Sequence, residues 1–93
     1  MFKKSEIAAQ VRQTVIDLCG YPQEQVTEEK DPEKDLFFDE LDMTELQMDL
    51  EETFGITISE DEANAQHTVG DWIGLVEGRL EAEGRVEKGG ETR

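Results

Sequence analysis

The chain of 93 residues is short of several things, and each shortage closes a line of explanation. A single cysteine, Cys19, permits no internal disulfide and says nothing about redox compartment. A single histidine, His67, stands far along the chain from Cys19, so no Cys/His pair is suggested. Basic residues are few: nine Lys and Arg against 24 Asp and Glu give a formal net charge of -15. That balance argues against nucleic acid as a direct partner, because phosphate binding needs clustered cations to release counterions. It favours basic protein surfaces instead. No apolar run approaches the roughly 18 residues of a membrane span, and no secretory-type leader precedes the first helical pattern. The expectation is a soluble, cytoplasmic monomer with no membrane insertion.

What the sequence does have is helical periodicity. Ile7, Val11, Val15 and Leu18 fall at spacings of four, four and three, which predicts a helix over 5–18 with one buried stripe. Gly20, with Pro22 two residues later, stops it, and Cys19 reads as a small core residue. From Tyr21 to Phe38 the chain is polar and interrupted by proline, and reads as a long loop anchored by Val26, Leu36, Phe37 and Phe38. Asp39 opens a second helix, with Asp42 at the third helical position as a weaker relative of the Glu or Gln of a capping box, and Gly55 ends it. Ser59 with Glu62 repeats the box over a short third helix at 60–65. Thr68 with Asp71 starts a fourth, whose apolar face is Val69, Trp72, Ile73, Val76 and Leu80. The stretch Ile56–Ile58 is too short to make a sheet. The fold class is therefore all-α, a helical domain over residues 1–83 followed by a mobile polar tail over 84–93.

The second helix carries most of the functional information. At about 100° per residue, Met43, Leu46, Leu50 and Phe54 share one sector and are expected to face the core. Leu41 and Met48 fall on the opposite side. Glu45 and Glu52 share that outer sector, with Asp42 and Asp49 toward one flank. A face of two apolar knobs among carboxylates has two readings. It is a solvated acidic surface with incidental apolar residues, which are common, or a docking surface where carboxylates steer a basic partner and Leu41 and Met48 supply dry contact.

The stretch DELDMTELQMDLEETFGITI resembles the Asp-Ser-Leu motif and the following acidic helix of the acyl carrier protein family, with Asp39 and Leu41 at the motif's outer positions. VRQTVIDLCGYPQEQVT resembles that family's first helix, ISEDEA its short third and TVGDWIGLV its fourth, so the likeness covers Ile7 to Leu80. It implies a four-helix bundle of three main helices and a short third, and it accounts for the long loop. It also implies a role beside enzymes of fatty-acid or polyketide-type metabolism, with Leu41, Asp42, Glu45, Met48, Asp49 and Glu52 as partner-binding residues. The family's serine between Asp and Leu carries 4'-phosphopantetheine as a phosphodiester. Here that position is Glu40, whose carboxylate cannot form such a link, so the chain as written is expected to carry no cofactor. Thr44 and Ser59 lack the motif's context. Phe37 stands where the family has a small residue or glycine; its bulk either obstructs a cavity between the helices or adds a contact for a partner.

Three readings of Glu40 stay open. It is a tolerated first-turn carboxylate favoured by the helix dipole, a standing negative charge where the phosphodiester would sit, or a substitution in an otherwise ordinary carrier. Other classes fare worse. The window Asp31 to Asp42 offers carboxylates at the first, third, fifth, ninth and twelfth positions of an EF-hand loop, but Leu36 stands where the turn wants Gly and Asp42 where Glu is usual. Weak divalent-cation binding through relief of self-repulsion is the stronger form of that alternative. Nothing selects a catalytic acid/base pair, and His67 reads as a loop or capping neighbour, so no enzyme is expected.

Overall fold

The structure, a computed structural model, describes residues 1–87. Among the described residues five α-helices form: α1 Lys4–Cys19, α2 Pro32–Asp35, α3 Glu40–Phe54, α4 Glu60–Asn64 and α5 Val69–Ala82. No strand is present among the described residues, so the all-α expectation holds. α3 and α5 both pack on α1. The core lies between these three long helices, with Ile7, Val11, Val15, Leu46, Leu50, Phe54, Trp72, Val76 and Leu80 all fully buried. Leu18 and Cys19 are half-buried against it.

Glycine is needed where α1 and α3 stop. Gly20 (φ 72°) and Gly55 (φ 65°) occupy the left-handed region, and their N–H groups donate to the carbonyls of Ile16 and Glu51.

The segment expected to be one long loop contains two local elements, a 3-10 turn at Gln23–Gln25 and the single turn of α2. Arg12 of α1 holds the first, donating from Nε to the Val26 carbonyl and from Nη2 to that of Gln23, both at 2.9 Å. α2 forms because Asp31 caps it, Oδ1 accepting from the Glu33 and Lys34 amides, while Pro32 sits where no N–H is required. Past α2, Leu36 and Phe38 are buried, but Phe37 corrects its expected role as an anchor. It is 76% exposed, with φ at 61°. Its two neighbours take the inward positions, and the Phe38 amide closes the turn on the Pro32 carbonyl at 2.9 Å. A left-handed conformation costs a residue with a Cβ about 1–2 kcal/mol.

After α3, Ile56 and Ile58 point inward. Side chains of α3 satisfy this extended piece in place of a neighbouring strand: Glu51 Oε2 accepts from the Ile58 amide and Gln47 Nε2 donates to the Ile58 carbonyl, each at 2.8 Å. α4 carries the expected Ser59/Glu62 box, and Arg79 of α5 reaches across to the Thr57 carbonyl and the Glu62 carboxylate. The start of α5 is tied to the loop, the Val69 and Gly70 amides donating to the carbonyls of Lys30 and Glu28.

The tail expected from residue 84 is docked over its first four residues. Val86 is buried and forms an isolated parallel bridge with Phe2. The Phe2 amide donates to the Arg85 carbonyl at 2.8 Å, and the Glu87 amide to the Phe2 carbonyl at 2.7 Å. Arg85 donates to the Phe54 and Gly55 carbonyls, satisfying the otherwise open end of α3. Phe2 in turn meets Phe54 edge to face, with centroids 5.2 Å apart. Residues 88–93 of the expected tail lie outside the described residues.

Candidate functional site

The start of α3 is fixed by a reciprocal cap. Asp39 Oδ1 accepts from the Asp42 amide at 2.8 Å, and Asp42 Oδ2 accepts from the Asp39 amide at 3.1 Å. These bonds satisfy orphan amides and place two carboxylates at the positive end of the helix dipole. Glu40 is the first helical residue and is exposed. The helix register then carries each expected outer residue to its side. Leu41 is 77% and Met48 58% exposed, Glu45 and Glu52 are exposed, and Asp42 and Asp49 are half-buried. On the opposite side Leu46, Leu50 and Phe54 are fully buried as expected, whereas Met43 is only half-buried and lines a cleft.

Among the described residues the ion pairs Lys4–Glu81, Arg79–Glu62 and Arg85–Glu83 all lie off α3. Of the α3 carboxylates, Asp42 serves the cap and Glu51 the Ile58 amide. Glu40, Glu45 and Glu52 stand in solvent, a row of negative charge interleaved with apolar side chains. Such a surface raises the local concentration of cationic partners and rejects anionic ones.

The cleft, of about 370 Å³, opens between the first half of α3, α4 and the start of α5. Glu40, Thr44, Gln47, Asn64 and His67 contribute to its walls, with Trp72 beneath. Phe37 is not part of the lining, so its bulk does not fill this space. The Trp72 Nε1–H is buried without a hydrogen-bond partner among the described residues. Glu33 of α2 also reaches the lining, so four helices meet to make the cleft, and no local sequence pattern announces it.

The Thr44 and Ser59 hydroxyls serve the backbone. Thr44 Oγ1 donates to the Glu40 carbonyl at 3.1 Å, and Ser59 Oγ accepts from the Glu62 amide at 3.1 Å. The titratable groups that depart from ordinary values do so for structural reasons. Glu62 is held below the usual range first by the Arg79 guanidinium and then by the Ser59 amide. The Asp71 carboxyl is lowered by accepting from the His67 and Thr68 amides as the cap of α5. His67 is exposed and enters this arrangement through its backbone, in keeping with a capping neighbour.

Of the five carboxylates at ligand positions of the EF-hand-like window, four accept from backbone amides. Asp31 caps α2, Asp35 Oδ2 accepts from the Asp31 amide at 2.8 Å, and Asp39 and Asp42 cap α3. Among the described residues no group of three or more metal-binding side chains forms, and no helix is long and apolar enough to cross a membrane.

Comparison with known proteins gives the same picture as the helix order. The family described as "Phosphopantetheine attachment site" matches residues 9–76. An acyl carrier protein of Exiguobacterium sibiricum is 38% identical over 74 residues, covering 80% of this chain and 94% of that protein. An acyl carrier protein of another Exiguobacterium strain is 36% identical over 77 residues, covering 83% and 98%. Matched over residues 9–76 and by relatives at 36–38% identity over about four-fifths of its length, the chain belongs to the phosphopantetheine attachment site family, alongside the acyl carrier proteins.

Proposed function

We propose that this protein is a non-acylated, acyl-carrier-like module that docks basic enzymes of fatty-acid or polyketide-type metabolism through the outer face of α3. The observation that carries the reading is the pairing of exposed Leu41 and Met48 with the solvent-facing carboxylates Glu40, Glu45 and Glu52 on one helix. Asp42 and Asp49 extend the charge along its flank. Charge accelerates encounter and rejects wrong partners, while the apolar residues hold the complex once water has left. Glu40 occupies the position of the family's attachment serine. A carboxylate there gives no stable phosphodiester, and the Thr44 and Ser59 hydroxyls are bonded elsewhere. The domain acts as a monomer, since self-association would bring together two surfaces of the same sign.

Two measurements test this. The intact mass of the protein from its native cells should equal the written chain, allowing for ordinary processing of Met1; an added phosphopantetheine would overturn the non-acylated reading. Met48→Glu should weaken an enzyme complex far more than Thr53→Glu, an equal charge change at another exposed position of the same helix. Equal effects would remove the assigned face.

A second reading, a genuine carrier whose serine has been replaced, draws support from the intact cap around position 40. Under it, Glu40→Ser should be modified by a phosphopantetheinyl transferase with coenzyme A as donor. Failure of that variant to be modified while it folds normally would dismiss the alternative.

A further inference from the structure

Phe37 combines two features that the domain itself does not reward. It leaves a large aromatic ring 76% exposed, and it holds a residue with a Cβ at φ 61°. Glycine would take this backbone without strain, and asparagine with little. Leu36 and Phe38, on either side, are buried and account for the path of the chain, but they do not require an aromatic side chain between them. Backbone strain that the local fold does not repay points to a role outside the fold. The ring also lies three residues before the first residue of α3, so it leads into the end of the helix that bears Glu40 and Leu41.

We infer that Phe37 is an aromatic docking anchor, and that its occupant is an apolar pocket framed by Lys or Arg on a partner enzyme. The inference rests on the docking reading above and adds to it the residue that governs which partners fit. Aromatic side chains inserted into such pockets dominate interface energetics, and a ring on a constrained backbone loses little freedom on binding. Charge complementarity selects the occupant. Exposed Glu40 opens α3 three residues beyond the ring, and Glu45 and Glu52 continue the negative charge along the helix, so a partner that seats the ring brings cations to the edge of its pocket that faces α3. A second copy of this chain, at a net charge of -15, brings the wrong sign, and an anionic membrane does the same.

The test is calorimetric titration of the full chain with a purified basic enzyme of fatty-acid or polyketide-type metabolism, the partner class of the docking reading. Four proteins are compared: the unaltered chain, Phe37→Gly, Phe37→Asn and Met48→Glu. Phe37→Gly should raise the melting temperature by about 4 °C through relief of the left-handed strain, yet weaken binding about tenfold or more. Phe37→Asn should lose binding to the same degree. Opposite movement of stability and affinity is the signature, since a residue that merely packs on its own domain would lose both. Binding by Phe37→Gly within about twofold of the unaltered chain, while Met48→Glu binds poorly, overturns the anchor and leaves the docking face standing. A fall in melting temperature for Phe37→Asn, which tolerates the left-handed backbone without glycine's added unfolded-state entropy, also overturns it, by making the ring structural. If the unaltered chain does not bind, or Met48→Glu binds as well as it does, the docking reading fails and the anchor fails with it.

Discussion

Replacing Trp72 by phenylalanine sets two opposing energies against each other at the centre of the domain. The indole is fully buried, and its Nε1–H has no partner among the described residues. Phe removes three ring atoms net, two carbons and the nitrogen. At about 0.8 kcal/mol per buried carbon, losing the carbons costs about 1.5 kcal/mol before any cavity contribution. Removing a buried donor that lacks an acceptor returns about 1–3 kcal/mol. The two nearly cancel, and Trp72→Phe should change stability by no more than about 1 kcal/mol. Trp72→Ala has no such offset and should cost about 3–5 kcal/mol. Urea denaturation followed by circular dichroism at 222 nm measures both, because Trp72 is the only tryptophan and its fluorescence disappears with it. A loss above about 2 kcal/mol for the phenylalanine variant would refute the reasoning, since it would mean that the indole N–H makes a bond worth keeping.

Other consequences can be checked with the same equipment. Asp39→Ala should cost about 1 kcal/mol by removing the α3 cap, and a neutral result would mean that α3 starts elsewhere. Arg85→Ala should lower stability by about 1–2 kcal/mol, because the Phe54 and Gly55 carbonyls lose their donor; hydrogen exchange should quicken at the Phe2 and Glu87 amides together. The Glu62 carboxyl, depressed in the folded state below its ordinary 4.5, stabilises the fold above that value and loses the contribution as pH falls through its folded pKa. In Arg79→Gln this acid-sensitive component should shrink, read from a carboxyl NMR titration of Glu62; an unchanged Glu62 titration would deny the contact. Added salt should raise the melting temperature by screening self-repulsion, while slowing association with any basic enzyme; salt-independent association would remove steering as the role of the α3 carboxylates.

The parts of the fold that could be read in advance are those where local chemistry and tertiary demand agree. Ile7, Val11 and Val15 repeat at helical spacing, and Asp39, Ser59 and Thr68 each cap with a partner three residues on. The turn at Pro32–Asp35 was signalled by Asp31 followed by proline, but four residues present no periodicity to read. Phe37 was misread because three consecutive apolar residues in a loop do not reveal which one turns outward; that depends on a backbone angle set by its neighbours. The docking of Val86 on Phe2 joins residues more than 80 apart and leaves no local trace. For the candidate site, the outward residues of α3 follow from the wheel alone. The cleft, which needs α4 and α5 to fold over α3, does not.

The paired segments around Phe2 and Val86 sit against the last turn of α3, clamped there by Arg85. Fifteen helical residues, about 21 Å of axial rise, separate that point from Glu40. Both routes by which the chain enters and leaves the described domain therefore lie at the pole opposite the start of α3. A fluorescent protein, an affinity handle or a sensor surface joined through either side would hold the module like a key by its bow, with the cut edge facing outward.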